Sequence, residues 1–190
     1  MNLHIDSLIG YTWDALMIVW LIGLAYTKRT VRAQAPGPRL FHMALVLFGF
    51  TLIGSGWLSQ GWLGYRFLPA VEPVEIVGLA LTVAGCLFAI WARIKLGGNW
   101  SGRATVKRGH ELVTTGPYAL ARHPIYTGLA AAALGTGFAI GEMRCLVGLL
   151  LVMLAFMVKM SQEERLMMET FPQAYPAYRQ RVRALIPGVL

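Results

Sequence analysis

The chain has 190 residues, 56% of them hydrophobic and 14% charged, with a mean hydropathy of +0.56. That length accommodates one domain, and so apolar a composition excludes an ordinary water-soluble globule in favour of a bilayer as solvent. The net charge of +8 needs no nucleic acid, because basic loops facing an anionic leaflet account for it.

Five stretches approach spanning length: 10–26, 40–58, 74–96, 125–140 and 145–160. The last two are short for a hydrocarbon core of about 30 Å, which wants about 20 helical residues. Only Gly141, Glu142, Met143 and Arg144 join them, so they read as a tight antiparallel helical hairpin. Fifteen of the 17 lysines and arginines fall in the first loop, the third loop and the tail, leaving Arg66 and Arg144 on the other side. The positive-inside rule then puts the N-terminus outside and the C-terminus in the cytoplasm. The expectation is an all-α, polytopic membrane helix bundle with about five transmembrane helices and a cytoplasmic C-terminal helical cap. Residues 1–96 supply transmembrane helices one to three, and 97–190 a cytoplasmic loop, the transmembrane hairpin and the C-terminal helices.

In the first span, Asp14 is expected about one turn in, at the interface. The first loop, 28–39, holds Pro36, Gly37 and Pro38 and reads as a plain turn. The second span carries Gly49, Gly54 and Gly56, small residues that permit close helix approach, with Trp57, Trp62 and Tyr65 as an interfacial belt beyond it. The third runs from Pro73 to Arg93 and Lys95, whose stems can snorkel to the surface. Gly97 and Gly98 then break the helix. Cys86 and Cys145 read as packing residues. The start of the chain lacks the basic and small-residue marks of a signal peptide, so Met1 is expected to stay.

The chemistry gathers in the polar block 110–126, which holds two His, an Arg, a Glu, two Tyr and two Pro in seventeen residues. It enters the fourth span through His123 and Pro124, and proline suits the first turn of a helix, where its missing N–H has no partner. The fifth span continues as a helix through 161–170 until Pro172, and 175–183 forms a basic, aromatic piece lying back on the membrane face. Hairpin partners put Tyr126 and Lys159 at one depth. Lys159 and Glu163, four apart, face the same way, toward a pocket built by Tyr118, His123 and Tyr126. His4 and His42 read as ordinary terminal and interfacial residues. His110 and His123 have no third ligand nearby, so no metal is expected. The glycines Gly135, Gly137 and Gly141 lie in a span with no preceding strand and read as helix packing, not a nucleotide loop.

On these residues the chain resembles the isoprenylcysteine carboxyl methyltransferase family of membrane enzymes. The matching elements are 110–113 (His-Glu-Leu-Val), 116–118 (Gly-Pro-Tyr), 122–128 (Arg-His-Pro-Ile-Tyr-Thr-Gly), Glu163 with Glu164, and the tail 171–178. Together they cover residues 97–187. The resemblance implies S-adenosylmethionine (AdoMet) as cofactor, bound by Arg103, His110, Glu111, Leu112, Val113, Tyr118, His123, Pro124, Ile125, Tyr126 and Glu163. It also implies Lys159, at a position where the family has Arg, as the partner of the substrate carboxylate. Arg122 and Glu164 complete the catalytic candidates, Glu164 as the proton acceptor that an amine nucleophile would need. The implied activity is methyl transfer to a lipophilic or prenylated acid among membrane lipids, with no metal. A phospholipid or other amine methyltransferase, or a reductase of similar C-terminal architecture, stands beside it. A prokaryotic inner membrane is the expected location.

Overall fold

The computed structural model describes residues 5–28, 30–33, 37–100, 105–107 and 111–185. Five apolar helices form a membrane bundle: α1 (Ile5–Ala25), α2 (Gly37–Gly54), α3 (Glu72–Leu96), α4 (Pro124–Ile140) and α5 (Met143–Thr170). α1, α3 and α5 are long and apolar enough to cross a bilayer, and α2 and α4 are shorter apolar helices beside them. Large apolar side chains point outward along their length, among them Leu21, Leu47, Leu87 and Leu150, as lipid-facing positions require. A short helix, α6 (Ala174–Arg181), follows α5.

Local chemistry sets the helix ends. α3 begins with Glu72, Pro73 and Glu75 in its first turn and ends on Arg93 and Lys95, charges that complement the helix dipole at each end. α4 starts on Pro124 and stops at Gly141, whose φ of 70° is the left-handed conformation that glycine adopts without strain. α2 ends at Gly54, four residues before the expected limit. Arg144 donates there to Leu52 O at 2.8 Å and Ile53 O at 2.7 Å, while its Nε pairs with Glu142 at 2.6 Å. Far from being a free outer-loop charge, Arg144 is a buried helix cap.

Small residues decide which helices meet. α3 and α4 pack backbone to backbone: a Cβ on Gly85 would lie 2.5 Å from Ala132 N, and one on Gly128 2.6 Å from Ala89 N. Gly78 and Gly135 repeat the pattern two turns away. Between them, Thr82 Oγ1 and Thr136 Oγ1 share a buried hydrogen bond of 3.2 Å, and Trp13 Nε1 donates to Thr136 at 3.0 Å, tying α1 to the pair. α2 and α5 meet at Gly49 and Gly148. The α4–α5 connection is tight as expected, but α4 leans chiefly on α3 and α5 on α2.

Two local expectations are corrected. The first loop is no plain turn: β1 (Thr30–Ala33) pairs antiparallel with β2 (Thr105–Lys107), because two loops on one end of the bundle satisfy each other's backbone groups. Asp14 lies well inside α1, lining a second, polar cavity of about 640 Å³ with Arg66, Glu75, Glu142 and Arg144. The tail is docked onto the bundle. Tyr175 and Tyr178 are buried, and the main chain beyond α6 accepts from Arg122 N (Arg183 O, 2.8 Å), His123 N (Ala184 O, 2.9 Å) and Thr127 Oγ1 (Leu185 O, 2.8 Å).

Candidate active site

The segment ahead of α4 is shaped by Gly116 and Pro117 into a single tight turn that presents Tyr118 inward. Tyr118 is buried, its hydroxyl 3.5 Å from Ala92 O on α3, and its own carbonyl accepts from Tyr178 OH at 2.6 Å. Burial, reinforced by the charge of Glu163, raises its pKa well above the usual phenol value. Burial likewise pushes Tyr178 up to about 12. Both phenols are therefore neutral donors at neutral pH. The tail clamps the turn, and the turn in turn fixes the entry into α4.

At that entry His123 stands between two carboxylates from α5. Its Nδ1 is 3.6 Å from Glu163 Oε2 and its Nε2 is 3.2 Å from Glu164 Oε1. Burial alone would lower the imidazole pKa, but hydrogen bonds to Glu163 and Glu164, with their charges, outweigh it and raise the pKa above 6.5. Tyr126 OH donates to Glu163 Oε1 at 2.8 Å. Its ring stacks on His123 with centroids 5.7 Å apart and meets Phe156 at 4.8 Å. Lys159 Nζ lies 3.8 Å from Glu163 Oε1 and 5.7 Å from the Tyr126 ring centroid. Tyr126, Lys159 and Glu163 thus share one depth.

These groups line a cavity of about 280 Å³. Leu112, Val113, Tyr118, Arg122, His123, Pro124, Ile125, Tyr126, Lys159 and Glu163 all reach its wall, and Glu111 edges it from an exposed position. Glu164 is not on that wall. It sits behind His123, bound by Arg122 through Nε at 2.8 Å and through the terminal nitrogen at 2.7 Å, with Arg179 Nε at 3.4 Å. Arg122 is further held by Val182 O at 2.6 Å, so its fork points at the scaffold. Arg103 and His110 lie outside the described residues. No group of three metal-ligating side chains occurs among the described residues.

Several wall residues were not among the site candidates read from the sequence. Trp20 of α1, His42 and Val46 of α2, Trp100 after α3, Phe156 of α5, and Tyr175 and Tyr178 of α6 all line the cavity. Trp100 is held by Arg93, whose guanidinium lies 4.5 Å from its ring and donates to Gly23 O at 2.6 Å and Gly97 O at 2.9 Å. The sequence signal for Trp100 was the glycine-rich helix break beside it. For His42 there was none, since an interfacial histidine looks the same on paper.

The wall offers aromatic faces to a cation and a partly buried carboxylate to hydroxyl or ammonium donors. Residues 77–169 match the model of the Isoprenylcysteine carboxyl methyltransferase (ICMT) family. The cobalt-zinc-cadmium resistance protein CzcN of Cupriavidus metallidurans is 28% identical over 149 residues, 77% of this chain and 59% of that protein. The protein-S-isoprenylcysteine O-methyltransferases of Schizosaccharomyces pombe and Xenopus laevis are 34% and 27% identical, covering 50% and 66% of this chain and 42% and 44% of theirs. The chain thus spans about half the length of these curated relatives. The solved structure of the eukaryotic intramembrane Ras methyltransferase ICMT shares the fold, with a TM-score of 0.52 at 23% identity over 84% of this chain and 55% of that one. The stretch that matches the isoprenylcysteine carboxyl methyltransferase family, residues 77–169, is the one that carries the His123–Glu163 cluster and the helices that hold it.

Proposed function

We propose that this protein is an AdoMet-dependent methyltransferase that esterifies the carboxylate of a lipophilic, isoprenylcysteine-like acid at the membrane surface. The observation that carries the reading is the convergence of Tyr126, Glu163 and Lys159 on one cavity at the end of the α4–α5 pair. AdoMet, when bound, supplies a methyl group activated on a sulfonium sulfur.

The chain's own residues do the rest. Tyr126 and Tyr118 would offer ring faces to a cation, and Glu163 would accept from hydroxyl or ammonium donors. Arg103, His110 and Glu111 are assigned to the same cofactor site, with Leu112 and Val113 contributing main chain. His123, Pro124 and Ile125 fix the start of α4 and so the direction of Tyr126. Lys159 would neutralise the acceptor carboxylate as a single point charge. A carboxylate nucleophile needs no base, so the demand on the site is positioning, with reacting atoms about 3–3.5 Å apart. Apolar walls from Trp20, Leu129 and Phe156 keep water from competing.

The amine-methylating alternative would need Glu164 as proton acceptor. Its oxygens are engaged by Arg122, His123 and Arg179, which favours the carboxylate. We therefore assign Glu164 and Arg122 to positioning. The catalytic region is assigned to 97–190, with the helices of 1–96 supplying one wall. The basic end of the bundle is assigned to the cytoplasm of a prokaryotic inner membrane, where AdoMet is available and a lipid substrate can enter sideways between helices.

The test is methyl transfer from labelled AdoMet by detergent-solubilised protein to a prenylated thioether acid. A base-labile ester is the expected product. A base-stable methylated amine, or NADPH binding with no AdoMet binding, overturns the assignment.

A further inference from the structure

His42 is the one cavity-wall residue whose polar atom is both sealed from solvent and without a partner: its Nε2 makes no hydrogen bond in the described structure. A buried nitrogen left so is desolvated without compensation, and such a site is where a ligand group completes the pair. The placement of His42 also follows from helix register. α2 and α5 run antiparallel and touch where a Cβ on Gly49 would lie 2.8 Å from Gly148 O and 2.8 Å from Val152 Cγ2. Moving about two turns from that crossing, roughly 10 Å in each helix, leads back along α2 to His42 and forward along α5 to Lys159. Seven residues return each helix to nearly the same face. The two side chains therefore meet at one level, and Lys159 and Glu163 are the charged groups within electrostatic reach of the imidazole.

A lone ammonium fixes the charge of a bound carboxylate but not its rotation, since its three donors turn freely about the side-chain axis. We propose that His42 is a second anchor for the acceptor, its Nε2–H donating to one carboxylate oxygen of the lipophilic acid whose charge Lys159 neutralises. This rests on the carboxylate reading above and adds to it a specificity-determining residue from α2. Glu163 stays with the cofactor side, joined to Tyr126, so the two ligands are held by different groups. An acceptor with no carboxyl oxygen at this position leaves Nε2 unpaired and binds more weakly.

The experiment uses the full chain in detergent, with N-acetyl-S-farnesylcysteine and N-acetyl-S-farnesylcysteamine, which lacks the carboxyl group, as probes and equilibrium binding as the readout. His42→Phe keeps a ring but removes the donor, and His42→Gln restores an N–H. The expected result is about a tenfold weaker affinity of His42→Phe for the acid, the scale of one hydrogen bond to a charged group. Recovery of most of it in His42→Gln, no change for the cysteamine probe and AdoMet affinity within twofold of wild type complete the expectation. Undiminished acid binding by His42→Phe overturns the proposal. So does equal loss of acid and AdoMet binding, which marks a folding defect, or a His42→Gln that binds the acid no better than His42→Phe. Wild-type protein that binds AdoMet but not the acid instead sinks the carboxylate reading itself, and this proposal with it.

Discussion

Tyr126 and Glu163, 37 positions apart, are joined by a 2.8 Å hydrogen bond between the first turn of α4 and the emerging end of α5. The bond exists because the Gly141–Glu142 connection folds α5 back along α4, and α5 is eleven residues longer. The carboxylate is thereby held at the cavity wall, already oriented by a phenol, an imidazole and an ammonium.

If that carboxylate receives the cofactor's donors, Glu163→Gln should weaken AdoMet binding by about tenfold or more, since hydrogen bonds to a charged acceptor contribute about 1.5–3 kcal/mol. Calorimetry on solubilised protein measures this directly. Wild-type affinity in Glu163→Gln would remove the residue from the cofactor site.

Lys159 is assigned to the acceptor, so Lys159→Ala should raise the acceptor KM at least tenfold while changing the AdoMet Kd much less. Lys159→Arg should retain most activity, because the charge is kept. Steady-state kinetics with both substrates varied separates the two constants, and an unchanged acceptor KM would break the assignment.

His123 makes stability depend on pH in a defined direction. Its pKa in the folded protein is raised above 6.5 by Glu163 and Glu164. Its contribution is therefore complete below the unfolded value and is lost as pH rises through the folded one. Thermal midpoints of wild type should fall as pH rises above the unfolded value of about 6.5, and His123→Gln should flatten that slope. Parallel slopes would show that the imidazolium is not what the carboxylates stabilise.

Glu164 is placed as a strut beneath His123. Glu164→Ala leaves Arg122 without its carboxylate in a site where the two side chains are only 10% and 15% exposed, a loss on the order of 3 kcal/mol. The thermal midpoint should drop markedly. Glu164→Gln, which keeps the shape and one acceptor, should hold AdoMet affinity nearer to wild type than Glu163→Gln does.

The glycine contacts give a test of the bundle itself. Gly85→Val puts a branched side chain where a Cβ alone lies 2.5 Å from backbone, so it should cost about 3 kcal/mol or more by overpacking. Gly10→Ala, in a helix position with nothing within 4 Å, should be neutral or stabilise by about 0.5–1 kcal/mol. Comparing the two thermal midpoints checks that close approach, not glycine as such, is what α3 and α4 need.

Hydropathy and charge were enough to place the helices within a few residues and to sort most basic residues onto one end. Both properties are carried by individual side chains against a uniform solvent, so no neighbour has to be known. The 122–128 motif and Glu163 were legible for a similar reason: proline at a helix start, a turn before it and an i, i+4 pair are local geometry. Lateral neighbours were not. Whether α4 leans on α3 or α5 depends on which glycine faces meet, and Gly49 and Gly54 look alike in the chain although only Gly49 touches another helix. The same holds for polar atoms. Glu164 reads as a second candidate carboxylate, and only the structure shows Arg122 and Arg179 beside it; His42 reads as an interfacial residue until its Nε2 is found sealed and unpaired. Satisfaction of a buried donor or acceptor is a property of everything around it, and only the tertiary structure brings those surroundings together.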